Sequence, residues 1–201
     1  AHLYDEMSET KSEKNLLILL SYAQNDSLGI LSSVIPVLSA VSNYFERVQI
    51  KPHHSIKLPT ARALVENTWP EAGNSASLEW IVSPLSALFN SARIVVAAHS
   101  GSALEAVCRG IPVIIVGRPT GITMNPLAGI DKRMWEIAYD ADQLVEILRT
   151  WSPEHPVSYL DRVAIGREIR DAYFQPVNEA TMRAFTPEGT IMFDQVAGIN
   201  P

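Results

Sequence analysis

The stretch Arg93-Ile94-Val95-Val96-Ala97-Ala98-His99-Ser100-Gly101-Ser102-Ala103-Leu104-Glu105-Ala106-Val107-Cys108-Arg109-Gly110-Ile111-Pro112-Val113-Ile114-Ile115-Val116 decides the fold of this chain. Residues 93–98 form a β-branched run of the kind found in a strand buried on both faces. Ser100-Gly101-Ser102 then opens a helix that runs to Arg109, and Gly110 closes it as the residue just past the helix end. Residues 111–116 are the next strand. Strand, helix and strand in this order make a βαβ unit, whose crossover places the two strands parallel with a right-handed connection.

The same grammar extends outward in both directions. Residues 16–20, 47–50 and 78–82 read as strands upstream, and residues 135–138 as a short strand downstream. A helical pattern occupies about residues 28–44, after a polar turn at residues 23–27. Ser83 is expected to cap a helix that begins with Pro84 and runs to about Ser91, and Asp140 to cap a helix over residues 141–151. Alternating strands and helices predict an α/β fold, a Rossmann-like doubly wound parallel sheet of about six strands with a C-terminal helical extension. The expected organisation is a linker or leading edge at residues 1–15, a Rossmann-like domain at 16–151, and a helical extension and tail at 152–201. Within that extension residues 158–185 read as one or two helices interrupted near Pro176, with Tyr173, Phe174 and Phe185 left to find a partner.

Composition narrows the function classes. A chain of 201 residues, 47 % hydrophobic and 19 % charged, is an ordinary globular protein able to bury roughly 70 % of its unfolded surface. The formal net charge of −6 argues against a protein that neutralises many nucleic-acid phosphates. The single cysteine, Cys108, excludes an internal disulfide, suits a reducing cytoplasm and reads as a buried helix thiol. No apolar run approaches the roughly 20 residues of a membrane span.

In an open parallel sheet ligands gather at the carboxyl ends of the strands, and three segments fall there. At Ala98-His99-Ser100-Gly101-Ser102 a buried strand meets a helix N-terminus, where unpaired N–H groups and the helix dipole favour an anion. Gly101 lets a phosphate approach the backbone, Ser100 and Ser102 add hydroxyls, and Glu105 sits one turn on, placed to accept from ribose hydroxyls. The competing reading is a plain capping box, which Ser102-Ala103-Leu104-Glu105 also fits. The second segment is Lys51-Pro52-His53-His54-Ser55, where a histidine can donate to a phosphate or lie near a leaving group and Lys51 adds charge, against the reading of a surface turn. The spacing of the two histidines is a poor metal site. The third is residues 117–126, in which Arg118 can approach an anion, against the reading of a solvated loop.

The sequence from Arg93 to Val113, with its small-residue turn, its glutamate in the following helix and then Gly110-Ile111-Pro112-Val113, resembles the donor-binding signature of GT-B glycosyltransferases and, beside them, of nucleotide-sugar 2-epimerases. Lys51-Pro52-His53-His54 resembles the His-Pro motif of bacterial sialyltransferases, polysialyltransferases and Kdo transferases, and similar arrangements occur in surface carbohydrate biosynthesis proteins. Proline precedes His53 here and His54 stands where those families place proline, so CMP and UDP donors both stay open.

The resemblance implies a donor-binding domain for a CMP- or UDP-sugar in bacterial surface polysaccharide synthesis. His53 would be the catalytic contact to the leaving phosphate; Lys51, His54, His99, Ser100, Gly101, Ser102, Glu105 and Arg118 would bind substrate, with no metal and no other cofactor. The partners it implies are a nucleotide sugar and an N-terminal acceptor domain of the same protein, with no nucleic acid and no membrane span. Two alternatives stand beside it: a 2-epimerase-like enzyme, for which Asp26, Glu79 and Asp131 are the candidate carboxylates, and a non-catalytic flavodoxin-like binding module.

Overall fold

The computed structural model describes residues 14–70, 78–152, 154–174, 176, 178 and 181. Six strands, β1 (Asn15–Leu19), β2 (Arg47–Lys51), β3 (Leu78–Trp80), β4 (Ala92–Ala97), β5 (Val113–Val116) and β6 (Trp135–Ala138), form one sheet in the order β3-β2-β1-β4-β5-β6. Every neighbouring pair is parallel. The order reverses direction between β1 and β4, which is the topological switch point of a doubly wound sheet.

Side chains alternate across a strand, so an apolar run must find cover on both sides. Leu16 and Ile18 of β1 face one buried layer with Ile30 and Leu31 of α1 (Gln24–Val34) and with Leu144 and Leu148 of α6 (Ala141–Trp151). Leu17 and Leu19 face the other, with Leu88 and Phe89 of α4 (Leu85–Phe89), Ala106 and Val107 of α5 (Gly101–Cys108), and Ile165 and Ile169 of α7 (Tyr159–Tyr173). Cys108 is buried in this second layer, and burial pushes its thiol up to about 11.

The caps explain several boundaries. Asp140 accepts from the Gln143 N–H at 2.8 Å and Ser158 from the Asp161 N–H at 3.2 Å, so α6 and α7 start where those side chains permit. Gly110 ends α5 with φ 71°, a conformation that favours glycine. α7 stops at Tyr173, with Phe174 in extended conformation and packed against the second layer while Tyr173 is exposed; Phe185 lies outside the described residues.

Five expectations are corrected. The first helix begins at Gln24, inside the segment read as a polar turn, and Pro36 divides its continuation into a 3-10 turn (Ile35–Val37), the short α2 (Leu38–Val41) and a second 3-10 turn (Ser42–Tyr44). Pro84, extended at ψ 141°, occupies the cap position expected of Ser83, and α4 starts one residue later. β3 ends at Trp80. A further helix, α3 (Leu58–Thr68), fills the segment after β2, with Pro59 in its first turn and Ala61 and Val65 buried. Asn15, placed in the linker, is buried and begins β1.

Candidate functional site

At the switch point a cleft of about 350 Å³ opens above the carboxyl ends of β1, β4 and β5. Its walls come from the first turns of α1 (Asn25, Asp26, Gly29), the β4–α5 turn (Ala98, His99) and the loop after β5 (Gly117, Arg118, Ile122, Thr123, Met124). The loop is shaped by its own contacts. The Arg118 N–H donates to Thr123 Oγ1 at 3.0 Å, the Leu127 N–H to Asn125 Oδ1 at 2.9 Å, and Gly121 turns the chain at φ 96°. Gly117 lies against Tyr139, whose ring would be 2.7 Å from a Cβ at that position.

The cleft holds one pair of opposite charges. The Arg118 guanidinium donates to Asp26 across it, and Asp26 also accepts from Ser21 Oγ at 3.4 Å. The Arg118 side chain is 60 % exposed, so this pair is a screened, exchangeable contact rather than a buried lock. Sequence reading placed His99 and Arg118 here. Asp26 had been weighed only as an epimerase carboxylate, and Asn25, Gly29, Thr123 and Met124 had not been singled out.

The α5 N-terminus borders the cleft through His99. Ser100 is the cap: its backbone is extended (φ −147°, ψ 132°) and its Oγ accepts from the Ser102 N–H at 3.3 Å. Ser102 lies inside the helix, so the capping box read at Ser102 to Glu105 does not form, and with Ala103 three residues on Ser100 is a plain cap. Gly101 is exposed, and among the described residues no other element comes within 4 Å of where a Cβ would sit. Capping by a 3.3 Å bond has not closed this end to solvent. Glu105, half-buried, lies 3.8 Å from Arg109 one turn further along its own helix.

Lys51, His53 and His54 form a separate cluster after β2. Burial holds the Lys51 ammonium below the ordinary lysine range. Burial first, and then the charge of His54, hold His53 below the ordinary histidine value. His53 Nδ1 accepts the Ser55 N–H at 3.3 Å and lies 2.8 Å from Ser55 Oγ, which leaves the proton of the neutral ring on Nε2 as a donor. The His54 ring is 4.1 Å from that of His53, and Tyr22 meets His53 edge-on at 5.8 Å.

Tyr22 also lines a second hollow of about 440 Å³ between the start of α1 and α3, with Gln24, Ser27, Thr60, Leu64 and Asn67. The turn between β1 and α1 is thus the strip joining the two predicted clusters: Ser21 and Asp26 face the cleft side, and Tyr22 faces the histidines. Its signal in the sequence was position alone, directly after the first strand.

Of the three carboxylates considered for an epimerase, Asp26 alone lines the cleft. Glu79 accepts from Gln49 at 3.1 Å, and Asp131 pairs with Arg133 at 2.6 Å. Among the described residues no helix is long and apolar enough to cross a membrane.

The sequence matches no protein-family model and no curated protein. Solved structures do resemble the fold. The wall teichoic acid polymerase TagF, as its H444N variant, superposes with a TM-score of 0.55 at 12 % identity, over 89 % of this chain and 43 % of that one. S. aureus MnaA in complex with UDP gives 0.53 at 11 %, over 91 % and 48 %, and a UDP-GlcNAc 2-epimerase from Neisseria meningitidis bound to UDP-GlcNAc gives 0.52 at 18 %, over 80 % and 43 %. The chain spans less than half the length of these structures, and at such identities the likeness carries the fold alone: a Rossmann-like α/β unit with neighbours among GT-B proteins.

Proposed function

We propose that this chain is the donor-binding domain of a glycosyltransferase that uses a nucleotide-activated sugar, a CMP- or UDP-sugar, in bacterial surface polysaccharide synthesis. The observation that carries the reading is the cleft at the β1/β4 switch point, lined by His99 just before the α5 N-terminus and by the exposed Arg118. The nucleotide occupies that cleft. Its phosphates lie at the α5 N-terminus with Ser100, Gly101 and Ser102, His99 and Arg118 border them, and Glu105 turns from Arg109 to the ribose.

In transfer, the bond between the sugar's anomeric carbon and the phosphate oxygen breaks as an acceptor hydroxyl attacks. Charge builds on the departing phosphate. Fixed dipoles aimed at such charge are the largest catalytic contribution in many enzymes, and the α5 amides provide them. His53 donates from Nε2 to the same phosphate, with Lys51 adding charge and His54 a further binding contact beside it; no metal is needed for the step.

The acceptor side belongs to a second domain facing the carboxyl ends of the strands. Tyr22, Val82, Ile122, Met124 and Tyr139, five of the large apolar side chains left exposed, lie in the segments that follow β1, β3, β5 and β6 on that face, which supports a covering partner. The site of action proposed for the whole protein is the cytoplasm.

Calorimetric titration of CMP, UDP and GDP against the wild-type chain and Glu105→Ala tests the reading. At least one nucleotide is expected to bind with selectivity over the others, about tenfold more weakly to the variant, equivalent to about 1.4 kcal/mol. Absent or indiscriminate binding of all three refutes it.

A further inference from the structure

The hollow of about 440 Å³ between α1 and α3 shares a turn with the nucleotide cleft but none of its charge. Leu20, Tyr22, Gln24 and Ser27 line the hollow, while Asn25, Asp26 and Gly29 line the cleft, so the β1–α1 turn and the helix it leads into divide the two.

The shape of the hollow follows from the residue spacing on α3. Thr60, Ala63, Leu64 and Asn67 recur every three or four residues, which places them on one face, beside the stripe that buries Ala61 and Val65. The small Ala63 leaves space between the polar ends of that face. Opposite stand Tyr22 and the first turn of α1.

Its lining is amphipathic and uncharged. Leu20, Ile56, Ala61 and Leu64 offer apolar contact, and Gln24, Thr60 and Asn67 offer amide and hydroxyl groups that both donate and accept. Among the described residues no charged side chain lines it. The Gln24, Thr60 and Asn67 side chains are exposed and make no hydrogen bond among the described residues, so a ligand reaches them without breaking one. Ser27 differs, because it is buried and its Oγ donates to the Ser21 carbonyl at 2.9 Å. Tyr22 is 73 % exposed and adds an aromatic surface.

These groups select among ligands. A phosphate or a sugar acid would give up hydration here and meet no positive charge in return. A wholly apolar ligand would strip water from Gln24, Thr60 and Asn67 and return no hydrogen bond. An uncharged sugar ring matches both halves of the lining. Its C–H groups pack on apolar surface and on the electron-rich face of an aromatic ring, and its hydroxyls donate and accept as the amides do.

Position identifies which sugar. The Tyr22 and His53 rings meet edge-on at 5.8 Å, so the hollow begins one ring away from the group assigned to the leaving phosphate. In an activated sugar, a charged nucleotide and an uncharged ring likewise flank one bond. Tyr22 also stands on the face assigned to the acceptor domain, where a sugar lying on it would be presented to the acceptor.

We propose that the hollow between α1 and α3 holds the sugar being transferred, and that this sugar is uncharged. Its assignment to the donor rests on the glycosyl-transfer reading above; the match between the hollow and an uncharged ring does not.

Side-chain amide NMR spectra of the full chain test the site, with the methyl glycosides of glucose, galactose, mannose and N-acetylglucosamine as probes and N-acetylneuraminic acid as the charged control. At least one glycoside is expected to move the Gln24 and Asn67 amide signals saturably, while the acid does not. Tyr22→Ala should weaken that binding about fivefold, and Tyr22→Phe, which keeps the ring, should not. Calorimetry then compares UDP with UDP-glucose, UDP-galactose and UDP-N-acetylglucosamine. At least one sugar nucleotide is expected to bind about fivefold tighter than UDP, the worth of roughly one hydrogen bond. Thr60→Val and Asn67→Leu, both at exposed positions, should remove that gain and leave UDP binding unchanged. Silence of every glycoside, or an equal response to the acid, overturns the site. Glycoside binding without any gain of sugar nucleotide over UDP, or a gain only for CMP-N-acetylneuraminic acid over CMP, overturns its assignment to an uncharged transferred sugar. If no nucleotide binds at all, the glycosyl-transfer reading and that assignment fail together, and the glycoside titrations still decide the site.

Discussion

The two ends of α5 are built in opposite ways. At its start Gly101 is exposed, with no other element among the described residues within 4 Å of a hypothetical Cβ. At its finish the helix is shut under α7: a Cβ on Gly166 would lie 2.7 Å from the Val107 carbonyl and 2.8 Å from the Gly110 nitrogen, and one on Gly110 would lie 3.0 Å from the Val163 nitrogen. Gly101 is thus a glycine that packing does not need, whereas Gly110 just past the end of α5 and Gly166 of α7 are two that it does. Small residues at the closed end hold the layer together; those at the open end leave room for something that is not protein.

The largest effect is expected where that contrast is steepest. Gly166→Leu would press a branched side chain into backbone that cannot turn aside, and should cost more than about 3 kcal/mol, lowering the midpoint of thermal unfolding by roughly 10 °C or preventing folding. Gly166→Ala sharpens the point. Alanine favours a helix by about 1 kcal/mol over glycine, yet overpacking costs about 1–3 kcal/mol, so a net loss is expected; a net gain in the melt would show that α7 can move off α5. Gly110→Ala must adopt φ 71° at a cost of about 1–2 kcal/mol and also meet the α7 backbone.

The closed side also carries the clearest pH dependence. Burial first, and then the neighbouring Arg162 charge, lower His155 from 6.5 to about 4. The unfolded chain therefore takes up this proton below about pH 6.5 while the folded one resists it to about 4, so stability is full above 6.5 and falls as the pH drops through that window. The thermal midpoint of the wild type should fall by a few degrees from pH 7 to pH 5, and His155→Phe should remove that part of the slope. An identical slope in both proteins would show that His155 protonates freely.

What could be read beforehand follows the same division. The central strands were legible because a parallel strand buried on both faces has to be continuously apolar, as residues 93–98 and 111–116 are. The closing glycine of α5 and the Asp140 cap were legible because each is required by local backbone chemistry. α3 was not: it fully buries Ala61 and Val65, with Leu64 only partly buried beside them, and Lys57 before it makes no side-chain cap bond. Ala23 likewise caps α1 without a side-chain bond, so nothing marked Gln24 as a start. The Arg118–Asp26 contact joins the loop after β5 to the first turn of α1, and local spacing holds no trace of it. His53 and Arg118 were legible as positions at strand ends, but not the turn between β1 and α1 that lies between them.

On the open side, binding and stability should separate. Arg118→Ala removes an ion pair whose arginine is 60 % exposed, worth at most about 1 kcal/mol, so the thermal midpoint should move by no more than about 4 °C. If the cleft holds nucleotide phosphates, affinity for the nucleotide should fall about tenfold, or about 1.4 kcal/mol. Loss of stability with unchanged affinity would make Arg118 a brace for the β5 loop rather than a ligand contact.

The smallest expected effect on stability belongs to Gly101→Ala. The position is at the start of a helix, its φ is not in the left-handed region, and the added methyl meets no other element, so the unfolding midpoint should stay within about 2 °C, a change under about 1 kcal/mol. Affinity is the more sensitive readout, because a phosphate seated on the α5 amides needs the space over Gly101 that the rest of the protein leaves unused. Gly101→Ala should therefore weaken nucleotide binding measurably and Gly101→Val more, while neither unfolds the chain. If both variants bind as the wild type does, the phosphates do not approach α5 along its first turn, and the open end of the helix owes its openness to something other than the donor.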